Sequence, residues 1–215
     1  MQKNAAKVIE GENLEVLKLL YEILNKSRRE GMMAIEADVE DPNASPIFSK
    51  YPGVLKDARM TAFICDYLRL MVGGNLNPFE IENLMDIEME THHQEAHTPA
   101  HVVAKVGDAV PAFGIVVAVM GVVNVMGSVG EPPAVLGKMI GGALVGTFLG
   151  ILIAYGFISP IASLLEQKSS EGSKIYQVIK VVLLASMSGY APQVAVEFGR
   201  KVLYSNDRPT FIRSE

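Results

Sequence analysis

The sequence predicts an all-α membrane protein, a transmembrane helical hairpin joined to a helical cytoplasmic domain. Three observations carry that prediction. Residues 109–130 and 139–165 contain no charged residue, and the charges between 109 and 165 are Glu131 and Lys138 alone. About 20 residues of helix cross the ~30 Å hydrocarbon layer, so each stretch is long enough to span. The first hundred residues are rich in charge and follow helical rather than strand periods. So sharp a step in composition, within 215 residues, marks a soluble part joined to a membrane part. The formal charge of −5 gives no reason to expect nucleic acid as a partner.

The elements follow in order. Asn13 is a candidate helix cap, ahead of Leu17, Leu20, Tyr21 and Leu24, which form one apolar stripe. Gly31 interrupts this helix. A second amphipathic region starts near Met32 and runs into the acidic "IEADVEDP", and Pro42 and Pro46 mark a loop. From Val54 to Met71 the pattern is again helical, with Val54, Ala58, Phe63, Ile64, Tyr67, Leu68 and Met71 on a broad face. "GGN" at 73–75 ends it, because glycine accepts the left-handed conformation at a helix end. Asn77, Pro78 and Glu80 form the next start signal, a cap with proline in the first turn and a glutamate three residues on. That helix is expected to stop near His97, before Pro99.

The two uncharged stretches are joined by the short, turn-rich "EPPAVLGK" and so form an antiparallel hairpin. A third apolar run, residues 181–196, is interrupted by Gly189 and Pro192 and is too short to span comfortably. It is expected to pack on the cytoplasmic bundle. Basic residues set the orientation: Lys105 precedes the hairpin, Lys168, Lys174 and Lys180 follow it, and only Lys138 lies in the tip. The expected layout is a cytoplasmic helical domain at 1–107, a spanning helix at 108–130, a periplasmic loop at 131–138, a spanning helix at 139–160 and a cytoplasmic helical region at 161–215. Both termini then lie in the cytoplasm. No secretory signal is visible at the start.

Within the hairpin, Gly142, Gly146, Gly150 and Ala154 fall four residues apart on one helix face. Association in lipid depends on close backbone approach, so such a face is built for packing. It serves either the hairpin itself or a helix of another subunit, and the length of the stripe favours the second. Gly114 and Ala118 offer a similar face on the first spanning helix. Neither uncharged stretch, 109–130 or 139–165, contains Asp, Glu, Lys, Arg or His. Proton relays through membranes use titratable groups, so any ion pathway here borrows its carboxylate from elsewhere. Thr147, beside the glycine stripe, either bonds back to its own helix or presents its hydroxyl to such a carboxyl. Pro111 is expected in a first helical turn, where proline is harmless. Pro160 is expected to kink a long helix leaving the membrane.

Other groups point away from enzyme chemistry. Cys65 is the only cysteine, which excludes an internal disulfide, and it reads as a small core residue on a helix. "HHQEAH" at 92–97 places His93 and His97 on one face. Gln94 stands where the zincin pattern needs glutamate, and Ala96 spoils the inverted form. A solvated, pH-sensitive helix end is the better reading, with no metal site. "GGN" lacks the lysine and spacing of a phosphate loop. No enzyme activity and no cofactor are expected.

Several long motifs, in order, carry a family resemblance. "NKSRREGMMAIEADVEDP", "YLRLMVGGNLNPFEIENLMDIEMETH", "VPAFGIVVAVMGVV", "GKMIGGALVGTFLGILIAYGFISPIA" and "GYAPQVAVEFGRKVLYSNDRPTF" resemble the MotA family of flagellar motor stator subunits, over essentially the whole chain. The resemblance implies a ring of five subunits in the bacterial inner membrane around a MotB dimer. MotB supplies the membrane aspartate, and ion passage drives the rotor protein FliG. It implies that Thr147 faces the MotB aspartate region and that Pro111 and Pro160 couple ion flow to movement. It also implies that Arg28 and Glu36 form the charged pair engaging FliG. The transported ion is expected to be a proton, with sodium the alternative. MotA proteins carry four spanning helices, and this chain opens after the region of the first two, so it is expected to lack the outer pair. The alternatives are an energy-transducing subunit of the ExbB/TolQ kind and a passive membrane scaffold. The long segment before the hairpin and the "GRKVLYSNDRPTF" ending favour the stator.

Overall fold

The computed structural model describes residues 2–74, 77–205 and 208–209. Among them every regular element is helical. In chain order these are α1 (Gln2–Glu30), a 3₁₀ turn (Met32–Ile35), α2 (Glu36–Glu40), a second 3₁₀ turn (Phe48–Lys50), α3 (Pro52–Lys56), α4 (Ala58–Gly73), α5 (Pro78–Met126), α6 (Pro133–Ile153), a π turn (Ala154–Ile158), α7 (Ser159–Met187) and α8 (Pro192–Val202). The chain divides into two units. One joins the residues up to Thr91 with those from Gly172, and the other is His92–Glu171.

The first unit is a helical bundle with one continuous core. The α1 stripe supplies Val16, Leu17, Leu20, Ile23 and Leu24, all essentially buried. Phe63, Ile64, Tyr67 and Leu68 of α4 and Val178, Ile179, Val182 and Leu183 of α7 meet it. Asn13 is not a cap: α1 starts at Gln2 and Asn13 lies inside it, 7 % exposed. Gly31 ends α1 with φ +94°, a conformation that glycine adopts without the steric cost of a Cβ. The helix expected from Val54 to Met71 is divided by Asp57, whose carboxylate accepts from the backbone N–H groups of Arg59 and Met60 at 3.0 Å each. That side chain satisfies two orphan donors and makes α4 a separate start. Gly74, at φ +64°, closes α4. Asn75, the last residue of "GGN", lies outside the described residues.

The start signal at Asn77 forms a reciprocal box. Asn77 Oδ1 accepts from the Glu80 N–H, and Glu80 Oε2 accepts from the Asn77 N–H, both at 2.9 Å. The helix it starts does not stop before Pro99. It runs on through Pro99 and Pro111 to Met126. Each proline removes one N–H from the ladder, and Pro99 is exposed, so water can take the carbonyl it frees. The helix therefore continues past both prolines with single rungs missing. The third apolar run is likewise split. Gly189, at φ +86°, turns the chain between α7 and α8, and Pro192 opens α8 in its first turn. Val182, Leu183, Ala195 and Val196 from this run are buried in the first unit's core.

The second unit is the hairpin. Its two most apolar windows have mean hydropathies of 2.2 and 2.1, and only 11 % and 17 % of their residues are buried within the chain. A core helix of a water-soluble protein would be mostly buried. Here Phe113, Val116, Met120 and Val123 on α5 and Leu144, Val145 and Phe148 on α6 stand largely exposed. A sheath of that size belongs in lipid or against other apolar helices.

Candidate functional site

The hairpin closes along a seam of small residues. Gly107 faces Ile158, Gly114 faces Gly150, and Gly121 faces Ala143. Each advance of seven along α5 thus meets a return of seven or eight along the other helix, as antiparallel packing requires. The approach is close enough to exclude side chains. A methyl at Gly114 would lie 2.8 Å from the Gly146 carbonyl oxygen, and one at Gly150 would lie 3.1 Å from the Gly114 Cα. With little hydrophobic drive between helices in lipid, this backbone-to-backbone contact is what holds the pair.

Of the stripe expected to serve another subunit, Gly146, Gly150 and Ala154 have lost that freedom. Gly146 and Gly150 press on α5 of the same chain, and Ala154 is fully buried. Gly142 has nothing within 4 Å of where its Cβ would stand and remains open. On the first spanning helix the matching glycines are Gly107, Gly114 and Gly121, rather than Gly114 and Ala118. Their seven-residue repeat was present in the sequence and is the signal that could have found the seam.

Thr147 sits half-buried beside this contact. Its hydroxyl donates across the hairpin to the Gly114 carbonyl at 3.4 Å, rather than back to its own helix. That distance is the long end of the hydrogen-bond range, and both lone pairs of the hydroxyl stay available. Pro111 lies far inside α5 rather than in a first turn. Pro160 is in the first turn of α7, directly after the π turn Ala154–Ile158. Proline cannot bond the carbonyl four residues back, and a widened turn accommodates that loss at Gly156.

In the first unit, Arg28 is in the last turn of α1 and Glu36 in the first turn of α2, and both are exposed. Each charge suits its helix end. What holds them was not read from the sequence. Asp38, 3 % exposed, accepts from Lys26 Nζ at 2.7 Å and from Ser45 Oγ at 2.6 Å. Ser45 Oγ in turn accepts from the Ile47 and Phe48 N–H groups at 3.2 and 3.3 Å. In the sequence no local pattern separates Asp38 from its acidic neighbours Glu36, Glu40 and Asp41.

Other polar links brace the bundle. Glu22 accepts from Lys50 at 2.6 Å and from the Tyr51 hydroxyl at 2.7 Å. Burial works against its ionised form, but these two bonds outweigh it and lower its pKa. Lys180 reaches both Asp86 oxygens at 2.8 Å and Glu82 at 3.1 Å, which outweighs its burial and raises its pKa. Burial pushes the Cys65 thiol up to about 11, which suits an inert core residue. The His93 and His97 rings lie tilted by 51° with centroids 4.1 Å apart.

A glycine-sealed hairpin whose two apolar stretches, 109–130 and 139–165, carry no acid, joined to a helical bundle, defines an all-helical membrane protein. A family model described as the MotA/TolQ/ExbB proton channel family matches residues 56–178. Motility protein A of Salmonella typhimurium is 57 % identical over 202 residues, covering 94 % of this chain and 68 % of that protein. Among solved structures, the flagellar MotAB stator complex from Bacillus subtilis matches with a TM-score of 0.69 and 28 % identity, over 88 % of this chain and 67 % of that one. The structure of C. jejuni MotAB shares the fold, with a TM-score of 0.75 at 20 % identity, over 100 % and 80 % of the two chains. The chain belongs to the MotA/TolQ/ExbB proton channel family and is homologous to motility protein A.

Proposed function

We propose that this chain is a flagellar stator subunit of the bacterial inner membrane, which conducts protons with MotB and turns their flux into torque on FliG. The observation that carries the reading is the hairpin. It offers a sealed, acid-free surface with one hydroxyl at its closest contact, so a second protein must bring the titrating carboxylate. The Salmonella typhimurium relative is a motility protein A, and the Bacillus subtilis structure is of a MotAB stator complex. This favours a stator over an ExbB/TolQ-type subunit, and the requirement for a borrowed carboxylate speaks against a passive scaffold.

In this mechanism several chains, five in the simplest ring, surround the MotB helices with both termini in the cytoplasm. Thr147 stands near the MotB carboxylate. Its free lone pairs accept from the protonated acid, and its O–H turns to the ionised form. Neutralising that acid removes a charge beside the seam and shifts the preferred packing. One charge crossing 100 mV releases about 2.3 kcal/mol, enough to bias a two-state packing strongly. The π turn and Pro160 form a compliant joint that passes the change to α7, and Pro111 does the same on α5. Arg28 and Glu36 present opposite charges to FliG.

The test is complementation. The gene, in its natural context, is expressed with MotB in a stator-null strain. Restored swimming together with cytoplasmic proton uptake supports the proposal, and stable membrane insertion without either overturns it.

A further inference from the structure

Beyond the Gly107–Ile158 contact, the seam of the second unit opens into a cavity of about 390 Å³. The small side chains of Ala100, Ala104 and Ala162 make room for it. Its walls carry four titratable groups. His97, His101 and Asp108 come from one face of α5, and Glu166 comes from the facing side of α7. The Nε2 atom of His97 is buried and has no hydrogen-bond partner within the chain. An orphaned buried nitrogen of this kind calls for water or a ligand. Among the described residues no three His, Cys, Asp or Glu side chains converge to hold a metal ion.

The position of the cavity is informative. Asp108 immediately precedes the uncharged stretch 109–130, and Ser159 on the opposite wall lies near the far end of the uncharged stretch 139–165. The cavity therefore sits where the acid-free seam gives way to charge, at the end that basic residues assign to the cytoplasm.

We propose that this cavity is a water-filled proton vestibule, in which His97, His101, Asp108 and Glu166 relay protons between the hairpin and the cytoplasm. The proposal rests on the proton-conducting reading above. A hydronium arriving from the hairpin gives its proton to an imidazole or carboxylate and is left as water. The protonated group then releases the proton to bulk water and returns to its starting state. Imidazole serves such exchange well because one ring nitrogen accepts a proton while the other donates one.

The experiment uses the complex of this chain with MotB in liposomes. A potassium diffusion potential drives proton uptake, read with an internal pH dye. The variant carrying His97→Gln, His101→Gln and Glu166→Gln is expected to take up protons severalfold more slowly while still co-purifying with MotB. A second variant, Ala104→Leu, changes no titratable group, fills the cavity, and is expected to slow uptake as well. Should the triple variant fail to assemble, Glu166→Gln alone, at an exposed position, takes its place. Conduction by the unmodified complex with unchanged rates in the variants overturns the vestibule and leaves the stator reading standing. No conduction by the unmodified complex overturns both.

Discussion

Lys26 Nζ lies 2.7 Å from Asp38 Oδ2 across the turn at Gly31, and the Asp38 side chain is buried. Lys26 is two residues before Arg28, and Asp38 is two residues after Glu36. The pair therefore ties together the two backbone segments that present the proposed rotor-facing charges. Asp38→Ala leaves Lys26 and Ser45 without this acceptor, at a cost of about 1–3 kcal/mol. The expected outcome is a lower unfolding temperature for the detergent-solubilised chain and impaired swimming at normal membrane levels. Unaltered swimming would show that the rotor contact does not need this brace.

Arg28→Glu should impair motility without affecting membrane level or MotB binding, because the side chain is exposed. A compensating charge reversal on FliG should restore part of the swimming speed, since surface charges of this kind steer and orient partners. Lack of rescue by any rotor reversal would remove Arg28 from the contact.

The seam makes contrasting predictions at two glycines. Gly114→Ala drives a methyl against the Gly146 carbonyl and forces the helices apart, with overpacking worth about 1–3 kcal/mol. Gly142→Ala meets nothing in the chain and should leave the hairpin intact. If Gly142 faces a neighbouring subunit or MotB, the second substitution weakens assembly only. Thermal unfolding and MotB co-purification, measured on both variants, separate these effects.

Thr147→Val keeps the side-chain shape and deletes the hydroxyl. Proton flux should fall, or the ion preference change, while MotB binding persists. Unchanged torque and ion dependence would return Thr147 to a packing role beside Gly114.

Acid should loosen the first unit. Bonds from Lys50 and Tyr51 outweigh burial and lower the Glu22 pKa, and hydrogen bonding by Arg200 lowers that of Glu197, both from an ordinary 4.5. A carboxyl with a lower pKa folded than unfolded adds stability above its unfolded value, and that stability is lost as pH falls through its folded value. The unfolding temperature should hold steady down to about pH 5 and then drop. In the Glu22→Gln variant the drop should be shallower.

The sequence by itself determined that the chain is helical, that two stretches are apolar enough to span, and that no acid lies within them. These follow from local composition and period, which a reader can add up residue by residue. It also marked the reciprocal cap at Asn77 and Glu80, because capping needs only neighbours a few residues apart. Only the tertiary structure decided that α5 continues through Pro99 and Pro111, since one missing rung is a small loss in a long helix. It decided that Gly146 and Gly150 close the hairpin on Gly114, because a stripe of small residues states a capacity for contact and not the identity of the contact. It also set Asp38 apart from its acidic neighbours. Burial and pairing depend on side chains brought together from distant positions, here Lys26 and Ser45, and no local pattern encodes them.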